Sequence, residues 1–202
     1  MMGFAKAVSF FLGPVFVLLP VPFILVSKFT QDYYYALKWT IFSYAFILSV
    51  AVFVIIGVLL GVFSNFDISK KEQRPLLFSF SAFVIFCYLV FLLILGGPKI
   101  LFLALFAIIL GLITIVVVNR WIKASIHVAT ATSVILLIGI IYKGYFFILL
   151  VFIPLLAWSR VKTKEHTVLE TIIGSILGVT LTLIVYTISR QYFLNFIYPA
   201  PF

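Results

Sequence analysis

Long apolar stretches separated by short polar ones set the pattern of this chain. Seven stretches stand as candidate spans: residues 4–26, 38–63, 76–96, 100–118, 124–142, 145–158 and 167–188. A helix needs about 20 apolar residues to cross a hydrocarbon core. The sixth stretch is short and borrows Ser159 and Arg160 at its end. Gly96-Gly97-Pro98-Lys99 and Lys143-Gly144 read as tight reversals between spans. Pro14, Pro20 and Pro22 are expected to bend the first helix. Trp39, Trp121, Trp158 and Tyr33-Tyr34-Tyr35 fall at span ends, where an interfacial aromatic belt belongs. The expectation is an all-α integral membrane protein, one domain over residues 1–202. It is a bundle of six to seven transmembrane helices with a site at one membrane face.

Composition agrees. Of 202 residues, 65% are hydrophobic and 9% charged, against roughly 25% charged in a soluble domain. No hydrophilic stretch is long enough for a soluble domain. The N-terminal run has a lone Lys6 and no cleavage site of small residues, so it reads as a retained first span. The single Cys87 excludes an internal disulfide. The net charge of +9 comes from 14 Lys and Arg against 5 Asp and Glu. In a membrane protein that excess suits anionic headgroups or an anionic substrate. The basic residues are spread over short loops with no basic arm, which argues against a nucleic-acid partner.

Counting crossings groups the polar residues. Segments 64–75, 119–123 and 159–166 are each separated by two spans, so all three are expected on one face. With their flanks they hold both histidines and four of the five acidic residues. Nine of the 14 Lys and Arg fall on that face, which the positive-inside tendency would place in the cytoplasm.

The third segment carries the densest chemistry. His166 and Glu170 are four residues apart and share a helix face. A carboxylate behind an imidazole fixes its tautomer and raises its basicity. Arg160 can hold a phosphate bidentately. Gly174 and Gly178 continue the same face and would let a neighbouring helix approach closely. In the second segment, Ser125 and the N–H groups of a helix start would bind phosphate oxygens, with Lys123 adding charge. His127 there is poised as a general acid. In the first, Arg74 with Lys70 or Lys71 would meet a phosphate, and Pro75 starts the next helix. Read separately, the first segment is equally a charged loop, and His127 a histidine satisfied at a helix start.

Together these residues resemble the type 2 phosphatidic acid phosphatase superfamily (PAP2), membrane lipid phosphatases whose active site is similar to that of vanadium haloperoxidases. Ser159-Arg160…His166…Glu170 keeps every spacing of the family's third motif, with Glu in place of Asp. Ala124-Ser125-Ile126-His127 keeps the Ser and His of the second. Arg74-Pro75 matches the end of the first, and Asp67 stands where its lysine is expected, so Lys70 or Lys71 would have to serve. The resemblance covers about residues 64–182, which would form the catalytic core. It implies that His166 attacks phosphorus to form a phosphohistidine, that Glu170 orients it, and that His127 protonates the leaving oxygen and then activates water. Arg74, Arg160, Ser125, Lys123 and Lys70 or Lys71 would stabilise the phosphate oxygens. No metal or other cofactor is implied. The substrate would be a phosphate or diphosphate monoester of a lipid: phosphatidic acid, phosphatidylglycerophosphate or a polyprenyl diphosphate. The implied location is the cell membrane, and bacterial relatives would carry the site outward, so both orientations stand. The alternative is a non-catalytic binder or transporter of anionic lipid headgroups on the same scaffold. A prenyl-transfer enzyme ranks last, because its aspartate-rich loops would have to be built from Asp32 and Asp67.

Overall fold

The computed structural model describes residues 1–68 and 70–193. It is 80% helical, with no strand among the described residues. The helices in chain order are α1 (Met2–Phe11), α2 (Pro14–Leu18), α3 (Val21–Thr30), α4 (Tyr33–Leu59), α5 (Arg74–Ile94), α6 (Lys99–Val118), α7 (Ile126–Ile141), α8 (Phe152–Lys162) and α9 (Val168–Ile188).

Five helical runs among the described residues are long and apolar enough to cross a membrane: Met2–Thr30, Tyr33–Leu59, Lys71–Ile94, Lys99–Val118 and Val168–Gln191. The prolines break the first as expected. Pro14 opens α2 directly after the Leu12–Gly13 break, and Pro20 and Pro22 flank the first residue of α3, positions where the missing N–H costs nothing. The two remaining candidate spans are shorter. α7 has 16 residues, a rise of about 24 Å. The sixth predicted span is a 3₁₀ turn, Phe147–Val151, followed by the 11-residue α8. Lys143 and Gly144 have φ of 54° and 92° and turn the chain there.

The chain divides into two compact units. One holds Met1–Leu18 and Thr114–Ile184; the other holds Leu19–Ile113 and the chain from Val185 onward.

In the second unit, Asp32 caps α4 by accepting from the Tyr35 N–H at 2.9 Å, which satisfies a donor that would otherwise be orphaned. α4 and α5 are joined by aromatic side chains. Phe42 stacks on Tyr88 at 5.7 Å, and Phe53 on Phe80 at 3.9 Å. The Ser43 hydroxyl donates to the Trp39 carbonyl at 2.6 Å, so its 2.8 Å bond to Tyr88 is donated by the phenol. Trp39, expected at a span end, packs inside the protein. It lies inside α4, 3% exposed, against Gly97, Tyr35 and Phe42. Phe83, Phe86, Leu93 and Ile94 on α5 are 62–72% exposed, a face suited to lipid rather than water.

In the first unit, Val128, Ala131, Ile135, Ile153 and Leu156 form a core between α7 and α8. Val17 of α2 packs on that core, and Phe4 of α1 packs on Trp158 of α8. α9 meets α7 along a stripe of small residues, as the glycine spacing predicts. A Cβ on Gly174 would lie 2.6 Å from the Ser125 carbonyl oxygen, and one on Gly178 would lie 2.6 Å from that of Ala129. Ser133 donates to the Gly178 carbonyl at 3.0 Å, and Thr132 shares a 3.3 Å bond with Ser175. Such interhelical bonds are worth about 0.6 kcal/mol each in a membrane.

Gly178→Ala should therefore force α7 and α9 apart and destabilise the protein by about 1–3 kcal/mol. Gly3→Ala, with nothing within 4 Å of the new carbon, should be neutral. Thermal unfolding of the two variants in detergent checks both.

Candidate functional site

The first unit brings together two of the three polar segments. α8 ends in a Schellman turn. The Lys164 N–H donates to the Val161 carbonyl at 3.0 Å, and the Glu165 N–H to that of Arg160 at 3.1 Å. Lys164 takes the left-handed position, φ 62°, that glycine usually fills. The His166 N–H also donates to the Arg160 carbonyl, at 3.2 Å. The reversal thus returns His166 to Arg160, which gives the Ser-Arg…His spacing a structural cause.

α9 begins two residues after His166, at a capping box whose N-cap is Thr167. The Glu170 N–H donates to Thr167 Oγ1 at 3.3 Å, and the Thr167 N–H donates to Glu170 Oε2 at 3.1 Å. This reciprocal pair needs Glu or Gln three residues after the cap, which gives a physical reason for glutamate where the motif has aspartate. The same Oε2 lies 2.9 Å from His166 Nδ1. Nδ1 also lies 3.1 Å from the Lys123 carbonyl oxygen. Both neighbours accept, so Nδ1 carries a proton. His166 is 8% exposed. An imidazole held this way, with a carboxylate behind it, can serve as nucleophile or base in its neutral form.

Three bonds tie the 119–125 segment to this turn. Besides the Lys123 carbonyl, Lys123 Nζ donates to the Glu165 carbonyl at 2.8 Å, and the Ser125 N–H donates to the Glu170 carbonyl at 3.1 Å. Lys123 therefore clamps the loop as well as bringing charge. Ser125 is the N-cap of α7, yet its hydroxyl makes no capping bond. Ser125 Oγ and Ser159 Oγ are fully buried and have no hydrogen-bond partner. Buried hydroxyls in that state are costly and often mark a site. Arg160 is 1% exposed and donates from Nη1 to Ser9 Oγ of α1. His127 is half-buried in the first turn of α7, and a Cβ on Gly13 would lie 3.3 Å from its Nε2.

Arg74, Lys70 and Lys71 lie in the second unit. Arg74 is buried, its Nε donating to the Ile68 carbonyl at 3.4 Å, and the two lysines are exposed. Among the described residues, no group of three His, Cys, Asp or Glu could hold a metal ion.

Sequence reasoning did not single out Thr167, Ser9 or Gly13. Thr167 had a readable signal, the Thr-x-x-Glu box. Ser9 and Gly13 had none, because their contacts are 151 residues and 114 residues away along the chain, respectively (Ser9 to Arg160, Gly13 to His127). No protein-family model, curated protein or solved structure matches the chain.

Two outcomes follow from these geometries. Side-chain ¹⁵N NMR should find His166 as the Nδ1–H tautomer, and Glu170→Ala should weaken that preference, leaving the Lys123 carbonyl as acceptor, while costing about 0.3–1.5 kcal/mol through the lost cap. Lys164→Gly should relieve about 1 kcal/mol of left-handed strain and raise the unfolding temperature, whereas Lys164→Val should lower it.

Proposed function

We propose that this protein is a membrane lipid phosphatase that hydrolyses a phosphate or diphosphate monoester of a lipid through a phosphohistidine. The observation that carries the reading is the imidazole of His166, with Nδ1 bonded to Glu170 and to the Lys123 carbonyl, which makes Nε2 the attacking nitrogen. In the proposed first step Nε2 attacks phosphorus and the bond from phosphorus to the lipid oxygen breaks. That oxygen takes a proton from His127. In the second step His127 removes a proton from water, the resulting hydroxide attacks phosphorus, and the N–P bond breaks to release inorganic phosphate.

The buried Arg160 guanidinium and the Ser125 hydroxyl would stabilise charge on the phosphate oxygens, usually the largest catalytic contribution. Lys123 would add positive charge while holding the turn that presents His166. Phosphatidic acid, phosphatidylglycerophosphate and polyprenyl diphosphates all present the required monoester. With α7 and the composite 147–162 segment counted as crossings, the spans number seven, in the cell membrane.

Detergent-solubilised protein should release phosphate from one of these lipids in the presence of EDTA. His166→Ala should reduce kcat to background, and His127→Ala should lower it about 10²–10⁴-fold. A colorimetric phosphate assay over the lipid panel reads both, and full turnover by His166→Ala sinks the proposal. Saturable phosphate binding without turnover on any lipid would favour a headgroup binder instead.

A further inference from the structure

Ser9 and Gly13 lie outside the residues that carry the motif resemblance, yet each reaches a side chain of the candidate site. They are four residues apart, Ser9 in the last turn of α1 and Gly13 at the break that follows it. Ser9 is buried, and its hydroxyl accepts from Arg160 Nη1. A guanidinium at 1% exposure cannot reorient through solvent, so its direction is set by the groups it bonds. Ser9 is one of them, and it comes from the opposite end of the chain. Gly13 is also buried, at the break between α1 and α2. A Cβ there would lie 3.0 Å from the Phe10 carbonyl oxygen, 3.1 Å from that of Ser9, and 3.3 Å from His127 Nε2. Backbone closes two sides of that position and the His127 imidazole closes a third, so the imidazole is the one side chain such a carbon would crowd.

We propose that the N-terminal segment Ser9–Gly13 is a wall of the phosphate site. Ser9 is the positioning residue for the Arg160 guanidinium, and Gly13 sets the clearance of the His127 imidazole. The assignment rests on the phosphatase reading for the identity of the anion. It adds a division of labour: Ser9 governs affinity for the phosphate group, and Gly13 governs proton transfer at His127. The N-terminal segment is then part of the binding machinery and not only a membrane span.

The test uses the full chain in detergent, with inorganic phosphate as the probe by isothermal titration calorimetry and lipid phosphate release as the second readout. Ser9→Ala should weaken phosphate binding by about tenfold or more, the loss expected for a hydrogen bond to a charged group. Ser9→Thr, which keeps the hydroxyl, should restore affinity to within about threefold. In an Arg160→Lys background, Ser9→Ala should cause little further loss, because the partner it aims is gone. Gly13→Ala should leave phosphate affinity within about twofold and lower kcat about tenfold, since the one side chain it crowds is the acid–base group. If Ser9→Ala fails to fold, Ser9→Cys, similar in size and a poor hydrogen-bond partner, takes its place. Wild-type binding that Ser9→Ala leaves intact overturns the inference alone. So does a Ser9→Ala loss that persists undiminished beside Arg160→Lys. A wild-type chain with neither phosphate binding nor turnover overturns the phosphatase reading, and this assignment with it.

Discussion

One carboxylate oxygen holds the centre of the first unit together. Glu170 Oε2 accepts from the Thr167 N–H and from His166 Nδ1 at once. The first bond starts α9 and the second orients the imidazole, so the helix cannot begin properly without presenting the histidine. An aspartate at position 170 is one methylene shorter and would be poorly placed for both bonds from a first-turn position. The choice of glutamate at this position is therefore coupled to the local chemistry of the helix start. The Glu170 carbonyl extends the link by taking the Ser125 N–H, so a single residue joins the turn, the helix and the neighbouring loop.

Close helix approach supplies the second constraint. Gly174 admits the Ser125 carbonyl and Gly178 that of Ala129, which brings the start of α7 against the first turns of α9. Only at that separation do the Ser125 N–H and the Glu170 carbonyl meet. Lys123 reinforces the contact from both its carbonyl and its ammonium group. Its ammonium on the Glu165 carbonyl spans what would otherwise be two independent loops. The proposed chemistry thus depends on packing between small residues as much as on the ionisable groups themselves.

Much of this was legible along the chain, and the failures have physical causes. Apolar run lengths located α4, α5, α6 and α9 closely, because burial in lipid demands length and hydrophobicity before anything else. The short sixth stretch is irregular: Lys143 and Gly144 turn the chain, and a 3₁₀ turn leads into an 11-residue helix that runs on through Ser159 and Arg160. Trp39 satisfied the pattern of an interfacial aromatic but is buried against Gly97, since a span end in sequence need not be a surface in space.

By itself, the sequence determined the helical membrane class, the breaks at the prolines, and the pairing of His166 with Glu170. Each depends on residues within a few positions of one another, although His166 precedes α9 and meets Glu170 at the capping box and not across a shared helix face. The tertiary structure decided which nitrogen of His166 keeps its proton, through the Lys123 carbonyl from another loop. It also decided that Lys123 acts as a clamp, and that Ser9 and Gly13 reach Arg160 and His127. Those contacts form only when distant helices pack, and no local periodicity encodes them.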